Sequence, residues 1–291
     1  MRKAEIGAAA LALTGTAEEA FARKSPFTLW QLPPQTKTQM NCYVIRTDAG
    51  VIVIDGGNAG DGPYLKGFLG ALGDHVSHWF ISHPHSDHLD AVTAILRDPG
   101  RLKVDVIHGS FPAREWIARY EPDAEITLVS FNEVVRDKNL PYREHEPGET
   151  ISFGGLRFEI LGVKNPELTA NPINNSSVVM RMTGGGKTVL FTGDLGVEGG
   201  NKLLNSGFGN RLRADWVQMA HHGQNGVTEE FYRAVKPSVC LWPTPDWLWD
   251  NDNGGGQGSG PWATLRVRAW RDALGVNKHY VSTDGLYRID G

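Results

Sequence analysis

Within six residues, His83-Pro84-His85-Ser86-Asp87-His88, the chain carries three histidines and an aspartate. Imidazole nitrogen and carboxylate oxygen are the donors that suit Zn²⁺, Mn²⁺ or Fe²⁺. The segment follows an apolar run, Trp79-Phe80-Ile81-Ser82, that reads as a buried strand. A strand that ends in a turn points successive side chains into one concavity. His83, His85, Asp87 and His88 are therefore expected to share a cation. The plainer alternative, surface histidines with Asp87 near a helix N-terminus, must explain four ligand-type side chains crowded together.

A cation cage also needs donors from elsewhere in the chain. Phe191-Thr192-Gly193-Asp194 ends an apolar strand in an aspartate, with Gly193 allowing a tight turn. Capping of the following helix is the ordinary alternative for Asp194. Met219-Ala220-His221-His222-Gly223 places paired histidines at another strand exit, and the two clusters hold five of the ten histidines. Strand ends leading into helices are the usual place for sites in α/β architectures.

The elements that must position these donors read as continuous α/β structure from Phe27 onward. Strands are expected at Cys42 to Thr47, Val51 to Asp55, Trp79 to Ser82, Val104 to Ile107 and Ile126 to Val129. Helices are expected near Pro63 to Leu72, Leu89 to Leu96 and Arg114 to Tyr120. The second half adds a hairpin from Ser176 to Met182 and Thr188 to Phe191, then strands at Asp215 to Met219 and Ser238 to Trp242. Helices at Glu198 to Leu204 and Glu229 to Val235 separate them. A glycine-rich loop from Pro243 to Pro261, a helix to Leu274, and strands near His279 to Ser282 and Leu286 to Ile289 complete the chain. Two such halves predict two sheets packed face to face with helices outside. Gly184-Gly185-Gly186-Lys187-Thr188 has the look of a phosphate loop, but position 181 is Arg181 instead of the required glycine, so it reads as a hairpin turn.

Residues 1 to 26 form a separate N-terminal segment and 27 to 291 the main domain. Arg2 and Lys3 before the apolar run Ile6 to Leu13, with Ala20-Phe21-Ala22 as a small-x-small site, sketch a secretory signal. That reading favours a secreted or periplasmic location. Glu5, Glu18 and Glu19 fit an alanine-rich amphipathic helix instead. No stretch approaches the roughly 20 apolar residues of a membrane span. The net charge of −4 argues against general nucleic-acid binding, although a local basic groove stays open. Cys42 and Cys240 are the only cysteines of the 291 residues, too few for a disulfide framework or a cysteine metal cluster.

Taken in order, Asp55 after a strand, His83-x-His85-x-Asp87-His88, Gly193-Asp194 and His221-His222-Gly223 resemble the motifs of the metallo-β-lactamase superfamily across about residues 28 to 290. The branch related to the competence protein ComEC is the most similar. It is matched by Asn175-Ser176-Ser177-Val178, then Thr192-Gly193-Asp194, then the histidine pair. The resemblance implies an α/β (α+β) four-layer αββα sandwich with one or two divalent ions at the sheet edges, Zn²⁺ before Mn²⁺ or Fe²⁺. It implies His83 and His85 on one metal, Asp87 and His88 on the other, and Asp194 bridging. His221 would complete the second position, His222 would be a ligand or proton donor, and Asp55 would hold the histidine loop by hydrogen bonds. One departure stands out: the superfamily's third histidine for the first metal is missing between Gly162 and Asp194. Asn174, Asn175, His108 and His145 are the candidates to stand in.

Such a site implies hydrolysis of an ester, amide or phosphodiester by an activated water. Asp87 would orient the water and accept its proton, and His222 would protonate the leaving group. Iron oxidoreductases of this fold carry glutamate where His85 stands, and the β-lactam-opening zinc enzymes carry cysteine where Asp194 stands. A ComEC-like nuclease and a non-catalytic binding module are the alternatives. Trp247, Trp249 and Trp262 flank the glycine loop and read either as core packing or as an aromatic wall for a small-molecule or polymer-end substrate.

Overall fold

In each half of the chain an antiparallel meander gives way to parallel strands, and the parallel strands require helical crossovers. The computed structural model describes residues 26–291. Its first sheet holds β1 (Thr28–Gln31), β2 (Cys42–Thr47), β3 (Gly50–Asp55), β4 (His75–Phe80), β5 (Lys103–Gly109) and β6 (Tyr142–Glu144) in that spatial order. The second holds β7 (Thr150–Phe153), β8 (Leu156–Gly162), β9 (Val179–Gly184), β10 (Lys187–Phe191), β11 (Trp216–Gln218), β12 (Val239–Trp242) and β13 (Lys278–Val281). The last strand, β14 (Tyr287–Asp290), returns to pair antiparallel with β1. Strands β3 to β6 and β10 to β13 are the parallel sets.

The first set is crossed by α1 (Gly62–Ala71), α2 (Ser86–Arg97), α3 (Arg114–Tyr120) and α4 (Glu125–Asp137). The second is crossed by α5 (Val197–Leu204), α6 (Glu229–Val235), α7 (Asp246–Trp249) and α8 (Thr264–Ala273). Strand alternation sends one set of apolar side chains between the sheets: Tyr43, Ile45, Ile54 and Phe80 meet Phe158, Met180, Phe191 and Leu241. The other set faces the helices. Val53 and Trp79 pack with Leu65 and Val92 on one side, and Val217 and Cys240 with Phe231 and Val267 on the other. The four layers are helices, sheet, sheet, helices, the sandwich that the motifs imply.

One expected strand is a helix. Ile126 to Val129 lies inside α4, where Thr127, Leu128, Phe131 and Val134 are buried. That spacing follows a helix face, and Ile126 is 72% exposed, so the β-branched run was outvoted by its longer-range pattern. The short α7 also occupies part of the expected glycine-rich loop. The hairpin between β9 and β10 is as expected: Gly184 pairs with Lys187, and Gly185 and Gly186 turn at φ 55° and 74°. The secretory-signal reading falls on residues outside the described ones. Among the described residues no helix is long and apolar enough to cross a membrane.

Candidate metal centre

Four segments converge at the C-terminal ends of the parallel strands. After β4 the chain runs extended through His85 and enters α2 at Ser86, so Asp87 and His88 stand in its first turn. Gly193 turns the exit of β10 at φ 53°, where a Cβ would come within 2.8 Å of Ser82 Cβ and 3.0 Å of Ser177 Cβ. Only glycine fits that close approach. Gln218, at the end of β11, clamps the turn: its Oε1 accepts from the Thr192 and Gly193 amides at 2.8 Å each, and its Nε2 donates to the Gly193 carbonyl at 2.8 Å. His221 and His222 both adopt left-handed backbone, φ 51° and 54°, an unfavourable conformation for non-glycine residues that recurs at functional turns.

At the centre, Asp87, His88, Asp194 and His222 bring one donor atom each within 4.8 Å of all the others. His88 Nε2 lies 3.2 Å from Asp194 Oδ1, and His222 Nε2 lies 3.0 Å from Asp87 Oδ2 and 3.2 Å from Asp194 Oδ2. Despite these distances, Asp87 Oδ2 and Asp194 Oδ1 are buried without a hydrogen bond. The far side of each imidazole is already committed. His88 Nδ1 donates to Asp55 Oδ2 at 2.8 Å, and His222 Nδ1 donates to the Pro243 carbonyl at 2.7 Å. That leaves both Nε2 atoms facing inward, the tautomer a metal ligand needs.

Asp55 holds this arrangement together. Besides His88 it accepts from the Ser82 amide at 2.7 Å, the Ser82 hydroxyl at 2.8 Å and Asn41 Nδ2 at 2.7 Å. Electrostatics follow from burial and opposed charge. Burial works against the charged forms of His88 and His222, but Asp194 and the neighbouring carboxylates outweigh it and lift His222 to about 10, with His88 raised too. Burial would raise Asp87 and Asp194, yet the facing imidazoles hold both below the usual carboxylate range. Without a cation, protons on the two imidazoles offset the carboxylate charge. The orphaned oxygens and inward nitrogens fit a divalent ion in their place.

His83 and His85 form a second pair, with His83 Nε2 and His85 Nδ1 3.0 Å apart. His85 Nε2 is bound to Glu121 Oε1 at 2.6 Å, and Glu121 Oε2 accepts from the Ile173 amide at 3.1 Å. Glu121 was not foreseen, because a lone glutamate at the end of α3 carries no motif. His83 Nε2 approaches Asp194 Oδ2 to 4.0 Å, so Asp194 lies between the two pairs. His221 is placed differently from the expectation. It stands outside the group of four, where His222 sits, with Nε2 3.9 Å from Asp194 Oδ2 and 3.4 Å from Asn174 Nδ2. The αL backbone at both residues turns His222 inward and leaves His221 toward the mouth.

Of the candidate stand-ins for the missing third histidine, Asn174 alone reaches a histidine of the site, His221, and its buried Oδ1 has no hydrogen-bond partner. Asn175 is turned away, accepting from the Gly199 amide and donating to Glu198. His108 and His145 bond each other at 2.8 Å in a separate chain. The tryptophans divide in the same way. Trp249 is enclosed by Arg268, 4.1 Å from its ring centre, by Trp242 at 5.2 Å and by His279 at 5.9 Å. Trp247 packs at a tilt against Trp262, ring centres 4.7 Å apart, and donates to the Lys37 carbonyl. It also lines a cavity of about 430 Å³ with Pro33, Pro34, Lys37 and Pro245.

Residues 36–239 match the family model of the metallo-beta-lactamase superfamily. The chain belongs to that superfamily. Within it, the chain is 29% identical over 162 residues to ComE operon protein 3 of Bacillus subtilis (strain 168), as the ComEC-like motifs lead one to expect. That match takes in 55% of this chain and 19% of the relative, so the chain spans about a fifth of its length. Among solved structures it is similar to the metallo-beta-lactamase fold protein YhfI from Bacillus subtilis, with a TM-score of 0.58 at 12% identity, covering 91% of this chain and all of that one. It also resembles CmlA, a diiron beta-hydroxylase from Streptomyces venezuelae, with a TM-score of 0.54 at 13% identity over 91% of this chain and 54% of CmlA. These likenesses show the fold alone, and the reaction must be argued from the site.

Proposed function

We propose that the chain is a metal-dependent hydrolase acting on an ester or phosphodiester bond. The observation that carries this reading is the inward pair of Nε2 atoms on His88 and His222, each pinned from behind, facing two carboxylates with unpartnered oxygens. Asp87, His88, Asp194 and His222 would hold one divalent ion, and His83 and His85 a second beside Asp194. An ion bound there supplies Lewis acidity and lowers the pKa of water toward about 7. Zn²⁺ suits this mixed nitrogen and oxygen set, with Mn²⁺ and Fe²⁺ as the alternatives.

The chain's own groups divide the remaining work. Asp87 would offer its unpartnered Oδ2 to the ion and its other carboxylate oxygen to the attacking water, orienting it and accepting its proton. His222, with Nδ1 fixed to Pro243 and Nε2 inward, is a ligand. His221, 17% exposed at the mouth, is held neutral by burial and has no acidic proton to give, so the proton for the leaving group would come from water at the mouth. Trp247 lines the cavity with Pro33, Pro34 and Pro245, which would take an apolar or planar part of the substrate. Trp249 is held by the fold and Trp262 backs Trp247.

The test is metal content together with turnover. Metal-supplemented protein should hold one to two ions and cleave bis-p-nitrophenyl phosphate or p-nitrophenyl acetate, and His88→Ala should abolish both while keeping the circular dichroism spectrum. Unchanged turnover in His88→Ala would sink the assignment. Asn174 in place of a third histidine favours a second reading, a non-catalytic metal-binding module. Tight metal binding with no turnover of either compound would select it.

A further inference from the structure

The hairpin Gly184 to Thr188, set aside as a phosphate loop, borders a cavity that the proposed hydrolysis does not use. Lys187 opens β10, Asp215 precedes β11 and Lys236 precedes β12, whereas Asp194, His222 and Pro243 follow the other ends of the same strands. At about 3.3 Å per residue, the run from Lys187 to Asp194 puts this cavity about 20 Å from the metal centre. It measures about 350 Å³ and is lined by Arg157, Arg181, Lys187, Arg213 and Lys236, with Asp215 the single carboxylate among its lining residues.

Three of these cations, Lys187, Arg213 and Lys236, have no carboxylate partner among the described residues. Asp215 Oδ2 is engaged by the Thr188 amide at 2.8 Å and hydroxyl at 2.9 Å. Arg157 leans toward Glu159 at 3.9 Å, and Arg211 covers Glu159 from the other side at 2.9 Å. Arg181 Nε donates to the Arg213 carbonyl at 3.0 Å, which fixes its guanidinium at the cavity wall. The three unpaired cations, with Arg157 and Arg181 beside them, concentrate positive potential around one concavity in a chain of net charge −4, and that potential favours an anion there.

We propose that this cavity binds a compact anion carrying two or more phosphate groups, such as pyrophosphate or the phosphate tail of a nucleotide. Guanidinium forks match phosphate oxygens two at a time, lysines add point charge, and the positive-φ Gly186 brings bare backbone close to the ligand. A ligand with a single carboxylate would leave two of the three unpaired cations unbalanced. The cations surround a hollow and do not form a stripe, which favours a small ligand over a polymer backbone.

Calorimetric titration tests this on the full chain, stripped of metal by a chelator and dialysed, in about 150 mM salt so that loose ion pairing is screened. Inorganic pyrophosphate should bind saturably at one site, at least tenfold more weakly in Arg213→Ala and in Lys187→Ala, and unchanged in His222→Ala. Absent saturation, equal binding of sulfate, insensitivity to both cavity variants, or loss in His222→Ala would each overturn the proposal. So would an oligonucleotide that binds with this variant pattern while pyrophosphate does not.

Discussion

At the scale of single residues, the site is a set of buried groups whose protons a cation must displace. Asp194 and Asp87 keep the His222 imidazole charged up to about pH 10 in the empty site, and His88 is raised as well. Metal ligands must be unprotonated, so binding at neutral pH has to release those protons. Affinity is therefore expected to rise as pH increases from 6 to 8. Titrations in two buffers of different ionisation enthalpy should show net proton release; pH-independent affinity with none would contradict the geometry. The ligand-type residues themselves were legible in the sequence, because six adjacent positions and two strand exits concentrate them. Their supports were not. Glu121 and Asn41 carry no motif, Ser82 and Gln218 read only as strand residues, and only folding brings them to His85, Asp55 and the Gly193 turn. Which of His221 and His222 turns inward was equally hidden, since it depends on two left-handed backbone angles.

At the scale of elements, placement of Asp194 depends on one strand exit. Gly193 has φ 53° and its neighbours Ser82 and Ser177 leave no room for a Cβ. Gly193→Ala is expected to destabilise the chain by about 1–3 kcal/mol through strain and crowding. Because the turn and the ligand are adjacent, the variant should also lose metal affinity, read by chelator competition, in step with its lowered melting temperature. Full metal affinity at wild-type stability would show that the turn is more tolerant than its contacts imply. Most of the helices and strands flanking this turn could be read from periodicity and turn residues. Strands β1, β6, β7 and β8 are not read from the sequence: β1, β6 and β7 are three or four residues long, and the buried β8 lacks a clean alternation, while in α4 a β-branched run blurs the helix period.

At the scale of the whole molecule, the two sheets are joined where β6 passes to β7, and a line of histidines crosses that junction. His78 Nδ1 meets His108 Nε2 at 2.9 Å, His108 Nδ1 meets His145 Nε2 at 2.8 Å, and His145 Nδ1 donates to Glu149 Oε2 at 2.6 Å. The rings lie among aromatic side chains from both sheets, His78 on Phe153 and His108 on Phe80. With each link carrying one proton, the line is satisfied when all three imidazoles are neutral. Burial, then the neighbouring His78 and His145, push His108 down to about 3. In the unfolded chain it titrates near 6.5. Above that value His108 is neutral in both states and pH has no effect through it. As pH falls from about 6.5 toward 3, the unfolded chain takes up a proton that the folded one refuses, so stability falls by about 1.4 kcal/mol per pH unit. Urea unfolding at pH 7, 5.5 and 4.5 should show that slope for the wild type, over and above whatever other groups contribute. His108→Gln keeps a polar side chain in the line without a titrating ring, so its stability should start lower at pH 7 and fall less steeply. Parallel pH profiles for the two proteins would remove His108 as the acid-sensitive joint between the sheets.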